Sequence, residues 1–294
     1  MTFEPLAALV VVACALAWSS FDLVRKVLLE RVEPMPLVAA LTGLQVPLFA
    51  AWAVVEGAGL PGEGYLVPAA LSAALNIVSN VLFVVAIKVS PLSLTIPLLS
   101  LTPVFTTILA VPMLGEVPGP WEVVGITLVA VGALGLHVAP GRGVNPVELA
   151  RAFLRERGSV MMAGVALMWS SAPALDKLAM ERSGPAFHGL VLSAAVALGI
   201  AAVLAAQGRL GALGAIRYRP DLVGLAILAS AAALALQLVA IRIVFVSLVE
   251  TVKRGLGNAA AVAAGAWIFH ERVGRWQWLA VALMGAGVAL ILLL

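Results

Sequence analysis

The residues best placed for chemistry lie in one apolar stretch near the end of the chain, Ser247–Glu271. It is long enough to cross a bilayer as a helix, yet it carries Glu250, Lys253 and Arg254 near its start. Helical spacing lets these three side chains share one face. A charge inside a spanning helix costs several kcal/mol unless it is paired or hydrated. We therefore predict an anion-binding or gating site that faces a cavity; the alternative is an ion pair near the membrane surface.

Other polar residues lie near the midpoints of apolar segments, where the membrane makes them most costly. Asn76 and Asn80, for example, are one helical turn apart and share a face. Packing between helices is the alternative role, because small and hydroxyl-bearing residues are common at membrane helix contacts. The predicted substrate-binding residues are Trp18, Ser19, Gln45, Asn76, Asn80, Thr95, Trp169, Ser170, Glu250, Lys253 and Arg254.

The composition is that of a polytopic membrane protein. Hydrophobic residues make up 63% of the chain and charged residues 11%, with a mean hydropathy of +1.10, whereas soluble domains carry about 25% charged residues. We predict an all-α integral protein of the cell membrane. No basic, aromatic-rich run suggests nucleic-acid binding. The predicted spans are 5–27, 36–55, 65–87, 92–113, 120–139, 159–178, 187–206, 221–241, 246–269 and 276–294.

The two halves of the chain carry the same landmarks in the same order. Three sets of residues match: Trp18-Ser19-Ser20 and Lys26 with Trp169-Ser170-Ser171 and Lys177, Ala86-Ile87-Lys88 with Ala240-Ile241-Arg242, and Glu116 and Trp121 with Glu271 and Trp276. We predict two five-helix repeats, 1–139 and 159–294, joined by a loop at 140–158. Because five is odd, the second repeat enters the membrane inverted, as in many secondary carriers.

These ten segments, the Trp-Ser pairs and the glutamates that end the fourth and ninth segments resemble the EamA type of the drug/metabolite transporter (DMT) superfamily. The resemblance covers essentially the whole chain and implies a ten-helix carrier of small metabolites. Lys253-Arg254 is also similar to the Lys-Arg pair that binds phosphate in triose-phosphate translocators, a branch of the same superfamily. That likeness implies an anionic substrate.

The predicted function is secondary transport of a small metabolite, as exporter, importer or exchanger, by alternating access. A lipid flippase and an integral-membrane enzyme are the alternatives. We predict no enzyme activity, cofactor or metal site, because the sequence lacks nucleophile-elbow, P-loop and dinucleotide motifs and its histidines are scattered. Homodimer formation stays open. Basic residues concentrate in odd-numbered loops, which predicts both termini outside; the resemblance implies both inside, so orientation stays open too.

Several smaller expectations concern roles at contacts and helix ends. Segments 1, 3, 4, 6, 8 and 9 are expected to line the cavity. Asp22 and Asp176 are expected to mark helix ends, with proton coupling as the alternative, and Glu116 and Glu271 to cap helices or lie in loops. Close helix packing is predicted at Gly125, Gly132, Gly135, Gly285 and Gly287.

Overall fold

A computed structural model describes residues 4–90, 95–136, 156–268, 270–271 and 273–293, and all regular structure within these ranges is helical. Short 3-10 helices span Ile96–Leu101 and Leu210–Tyr218. The predicted loop 140–158 lies outside the described residues as far as residue 155. The α-helices in the described ranges are α1 (Pro5–Leu28), α2 (Pro34–Val55), α3 (Leu66–Val89), α4 (Thr102–Leu114), α5 (Pro120–Gly135), α6 (Arg157–Met180), α7 (Pro185–Ala206), α8 (Pro220–Ile243), α9 (Val246–Trp267) and α10 (Arg275–Leu293).

Among the described residues, seven helices are long and apolar enough to cross a membrane: α1, α2, α3, α6, α7, α8 and α10. Helices α4 and α5 are apolar but shorter. Helix α9 is not counted among the seven because it carries three charged residues, Glu250, Lys253 and Arg254. Leucines such as Leu6, Leu198 and Leu228 are exposed on the outer faces of the bundle, where lipid is the matching solvent. The chain is a multi-pass integral membrane protein.

Proline sets the start of many of these helices. Helices α1, α2, α5, α7 and α8 each begin with proline, whose fixed φ suits the first helical turn and whose missing N–H is not needed there. The 3-10 turn before α4 ends where Pro103 follows Thr102. Gly115 ends α4 with φ of 70°, a left-handed conformation that glycine adopts without strain.

Helices from the two halves of the chain pack against each other. Helix α1 packs on α8 and α9, α3 on α6 and α7, α2 on α7 and α8, α4 on α6 and α9, and α5 on α10. Leu28, at the end of α1, lies in one apolar cluster with Val223 and Ala226, near the start of α8. Tyr65, just before α3, lies in another with Ala179, near the end of α6. Each of these two helix pairs is therefore antiparallel.

Glycines bring α5 and α10 into close contact. A Cβ atom on Gly287 would lie 2.6 Å from the Gly125 carbonyl oxygen, and one on Gly132 would lie 2.9 Å from the Ala280 carbonyl oxygen. The predicted close packing is confirmed at Gly125, Gly132 and Gly287. Gly135 makes an ordinary contact at 3.8 Å, and a Cβ on Gly285 would meet no atom within 4 Å, so the prediction is wrong for those two glycines.

Candidate functional site

A cavity of about 600 Å³ lies inside the helix bundle, within the range usual for small-molecule sites. Side chains from α1, α2, α3, α4, α6, α7, α8 and α9 line it. The expected helices all contribute, and α2 and α7 contribute as well. Leu37 and Leu41 of α2 and Val196 of α7 supply apolar wall, so the site combines many polar and charged side chains with apolar surface.

Most of the predicted site residues lie in the wall of this cavity. They are Trp18, Ser19, Gln45, Asn76, Asn80, Trp169, Glu250, Lys253 and Arg254. Thr95 and Ser170 are buried outside the lining. The Ser170 hydroxyl lies 2.6 Å from the Ala166 carbonyl oxygen and 3.2 Å from the Thr102 carbonyl oxygen, so this serine joins α6 to α4.

Glu250 and Lys253 form an ion pair that faces the cavity. Lys253 Nζ lies 2.5 Å from Glu250 Oε1 and 2.8 Å from Gln237 Oε1. The same ammonium lies 5.3 Å from the centroid of the Trp18 ring, within the range of cation–π attraction. The ion pair anticipated from the spacing is therefore present, and both of its members line the cavity.

Arg254 has a different environment. Its Nη2 donates to Thr102 Oγ1 at 3.0 Å, and no described carboxylate forms an ion pair with it. A guanidinium carries five N–H donors, so one hydroxyl satisfies only a small part of its capacity. A planar cation with free donors is suited to bind a carboxylate or phosphate through two parallel hydrogen bonds.

The amide side chains are already bonded within the protein. Gln45 donates to Ser193 Oγ at 3.1 Å and accepts from the Ser230 hydroxyl at 3.1 Å. Asn76 Nδ2 donates to the Ser72 carbonyl at 3.0 Å, and Asn80 Nδ2 donates to the Asn76 carbonyl at 2.8 Å. Gln45 thus links α2, α7 and α8, whereas Asn76 and Asn80 bond to the backbone of their own helix, α3.

A buried ion pair lies where the ends of α4, α6 and α8 meet the start of α9. Lys177 Nζ lies 2.6 Å from Glu116 Oε1 and donates to the Val244 carbonyl at 3.1 Å. Glu116 Oε2 accepts the Val246 N–H at 2.7 Å, so this glutamate caps α9, and the predicted cap role is confirmed for it. The side chains of Lys177 and Glu116 are only 19% and 5% exposed.

The matched pair lies at the opposite end and is open to solvent. Lys26 Nζ lies 3.1 Å from Glu271 Oε1, with the side chains 53% and 57% exposed. Helix α8 separates the two pairs: its start packs on the end of α1, and its end accepts the hydrogen bond from Lys177. Its 24 residues span about 36 Å at 1.5 Å per residue. Lys26 lines the cavity, so the cavity reaches this exposed end.

Several lining residues escaped the sequence interpretation. Gln237 and Thr42 lie inside apolar segments and carry the same signal as Gln45. Asp22 pairs with Arg25 at 2.7 Å, as helical spacing predicts, but both residues also line the cavity. Asp176, interpreted as a helix-end residue, is buried and lines the cavity as well. No group of potential metal ligands occurs in the described part of the chain.

Comparison with known proteins agrees with this architecture. Residues 5–138 match the family model described as the EamA-like transporter family. These residues, somewhat less than half of the chain, are similar to that family. The chain is also similar to a solved crystal structure of a protein, with a TM-score of 0.73 and 18% identity over 97% of both chains. At that identity the likeness shows a shared fold. No curated protein matches the chain.

The matched range contains α1 to α5, and thus the cavity residues Trp18, Gln45, Asn76 and Thr102. The basic pair Lys253 and Arg254 lies beyond it, in the second half of the chain.

Proposed function

We propose that this protein is a secondary transporter of small anionic metabolites in the cell membrane, working by alternating access. Its ten helices would form two inverted five-helix repeats, 1–139 and 159–294, joined by the loop 140–158. The EamA-like match supports the transporter class. The two further elements of the proposal, the inverted repeat and the charge of the substrate, have separate support.

The helix packing supports the inverted repeat. If α1 to α5 correspond to α6 to α10 in order, the counterpart of the α1–α8 contact is the α6–α3 contact. Both contacts occur. The contacts of α1 with α9 and of α6 with α4 exchange in the same way, while α2 with α7 and α5 with α10 map onto themselves. Alternating hairpins make α1 and α3 parallel, and α6 is antiparallel to α3. An antiparallel α1 and α6 is the relation that inversion requires.

The proposal of an anionic substrate rests on one observation. The Arg254 guanidinium lines the cavity and forms no ion pair with a carboxylate among the described residues. Glu250, the nearest acidic side chain in sequence, is engaged by Lys253 at 2.5 Å. A positive charge in a water-poor site is costly unless it is paired. A substrate carboxylate or phosphate would supply the missing partner, and Trp18 with the leucines of α2 would cover its apolar part.

Arg254→Gln is the direct test. The purified protein is reconstituted into lipid vesicles, and uptake is measured for three labelled probes: inorganic phosphate, succinate and leucine. Loss of a hydrogen bond to a charged group costs about 1.5–3 kcal/mol, so binding of the transported anion should weaken roughly tenfold to more than a hundredfold. Arg242→Gln is the matched control, because Arg242 is exposed near the end of α8 and is not part of the cavity wall. It should leave uptake unchanged.

Changes at the neighbouring ion pair sharpen this test. Lys253→Gln should weaken the same anion less than Arg254→Gln does, since an ammonium lacks the planar fork of guanidinium. Glu250→Gln should tighten binding, because the carboxylate competes with the substrate for the basic groups. Equal uptake by wild type, Lys253→Gln and Arg254→Gln would contradict the proposal. Movement of a labelled phospholipid between leaflets would favour the flippase, and a chemically altered probe would favour an enzyme.

A further inference from the structure

A second polar cluster lies at the cavity wall, built from α3, α6 and α7. His188 is fully buried, and its Nε2 lies 3.0 Å from Asp176 Oδ1. The Ser72 hydroxyl donates to the same carboxylate oxygen, and Tyr65 Oη lies 3.3 Å from His188 Nδ1. Asp176 is 2% exposed and is part of the cavity lining. A buried chain of titratable groups thus reaches the surface of the transport cavity.

The hydrogen-bond inventory shows where a proton can bind. The Asp176 carboxylate accepts from Ser72 and from the Nε2–H of a neutral His188, which leaves Nδ1 as an acceptor for the Tyr65 hydroxyl. Burial, and then the charge of Asp176, raises the pKa of Tyr65 to about 12, so the phenol keeps its proton. A proton added at Nδ1 makes an imidazolium, and the Tyr65 hydroxyl turns to accept from it. The charge of the Asp–His pair changes from −1 to 0.

The counterparts of His188 and Ser72 in the first half of the chain are apolar, while the counterpart of Asp176 is Arg25, which pairs with Asp22 and lines the cavity. His188 is the fourth residue of α7, and Leu37 is the fourth of α2; Ser72 is the seventh of α3, and Ala226 is the seventh of α8. Leu37 and Ala226 lie together in one hydrophobic cluster with Phe21. The first-half counterparts of His188 and Ser72 therefore pack through apolar side chains, and a buried polar cluster costs free energy unless it is fully bonded.

Other charges around the cluster already have partners or lie across the cavity. Lys177, next to Asp176 on α6, is held by Glu116, and Lys253 is held by Glu250. Arg254 faces the same cavity as Asp176. The other charged and titratable groups of the surrounding helices are Lys88, Arg157, Lys177, Asp221, Arg242, Glu250, Lys253 and Arg254, and those of the residues next to these helices include Tyr65, Glu116, Glu181 and Arg182.

We infer that Asp176 and His188 form a proton-binding site whose occupancy controls the affinity of the cavity for an anion. In the deprotonated pair the negative charge of Asp176 opposes an anion at Arg254, and uptake of one proton removes that opposition. Protonation and anion binding then favour each other by equal amounts, as linkage requires. The anion half of this inference rests on the proposed function, while the proton-binding half does not.

Nitrogen-15 NMR of histidine-labelled protein tests the proton site directly. The chain has three histidines, and His188→Gln assigns the signal of interest by its loss. The His188 signal should change from a neutral to a cationic pattern as the pH is lowered, because the inferred site takes up a proton at Nδ1. Asp176→Asn preserves the shape of the side chain but removes the charge, and it should move the transition to lower pH. A His188 signal that stays neutral in the wild-type protein would overturn the inference.

The same sample tests the coupling. Saturating succinate or inorganic phosphate, whichever binds in the uptake assay, should move the His188 transition to higher pH, and affinity for it should rise by up to about tenfold per unit fall in pH. A probe that binds without moving the transition would overturn the coupling. If no anion binds but His188 still titrates with its dependence on Asp176, the proton site stands and the proposed function fails, so the two failures are distinguishable.

Discussion

The two Lys–Glu pairs at opposite ends of the bundle have the same side chains at matched positions but different surroundings. Lys177 and Glu116 are mostly buried, and each has a further bond to the backbone around the start of α9. Lys26 and Glu271 are more than half exposed. An exposed pair contributes between about 0 and 1 kcal/mol, whereas removing one partner of a buried pair costs about 3–5 kcal/mol. The two pairs therefore contribute unequally to the stability of this conformation, although their residue types are the same.

A carrier that works by alternating access is expected to have one buried and one exposed end in each state, and the two Lys–Glu pairs differ in this way. We propose that the buried pair Lys177–Glu116 seals one end of the bundle, and that the exposed pair Lys26–Glu271 marks an open end, which Lys26 joins to the cavity. If the repeats are related by inversion, the opposite state would bury Lys26 and Glu271 and expose Lys177 and Glu116. The α5–α10 contact, in contrast, is alike on both sides: Gly132 meets the carbonyl of Ala280, and Gly287 meets the carbonyl of Gly125. We expect this contact to stay fixed while the ends exchange.

The largest predicted effect is that of Glu116→Gln. The glutamine can still accept the Val246 N–H, but Lys177 is left as a buried charge without its partner, at a cost of about 3–5 kcal/mol. The sealed end should open. The measurement is thiol labelling of Ser247→Cys in a Cys14→Ala background, because Ser247 is fully buried at the start of α9 and Cys14 is the only cysteine in the chain. Labelling should accelerate by at least about tenfold.

A change at the α5–α10 contact should have an intermediate effect of a different kind. Gly287→Ala places a Cβ 2.6 Å from the Gly125 carbonyl oxygen, so overpacking should cost about 1–3 kcal/mol of stability. The thermal unfolding midpoint in detergent should fall while Ser247→Cys stays protected. Gly285→Ala, where the added atom meets open space, is the matched control and should leave the midpoint almost unchanged. Equal loss in both variants would show that the contact is not specially close.

The smallest predicted effect is that of Glu271→Gln, the counterpart of the first substitution. Its exposed pair should contribute less than about 1 kcal/mol, so neither the unfolding midpoint nor Ser247→Cys labelling should change measurably. Anion uptake by vesicles should nevertheless fall, because this pair would seal the cavity in the opposite state. Labelling as fast as in Glu116→Gln would contradict the assigned difference between the ends.

Much of the candidate site could be predicted from sequence because charged and amide residues are rare inside apolar membrane segments and are therefore easy to recognise. A charged or amide residue such as Arg254, Lys253 or Asn76 inside an apolar segment is conspicuous, and each of these lines the cavity. The prediction is less specific for hydroxyl residues: Ser170 bonds to backbone carbonyls and is buried away from the cavity. A serine can satisfy itself against its own helix, so its polarity does not indicate a cavity.

Other features depend on contacts that no short spacing reveals. Asp176 and His188 are on different helices, and Ser72 and Tyr65 come from a third part of the chain, so only the packing of α3, α6 and α7 brings them together. The difference between the two Lys–Glu pairs is also absent from the sequence, since both have the same residue types. This difference in burial depends on the conformation of the bundle, which packs one pair and leaves the other exposed.

Paired distance measurements between spin labels test the central claim, that the two ends open alternately. In a Cys14→Ala background, one pair of labels is placed at the exposed residues Val117 and Glu181 near the sealed end, and another at Glu30 and His270 near the open end. Glu116→Gln should lengthen the Val117–Glu181 distance and shorten the Glu30–His270 distance in the same population. Lengthening at the first end with no change, or with lengthening, at the second would contradict alternating access.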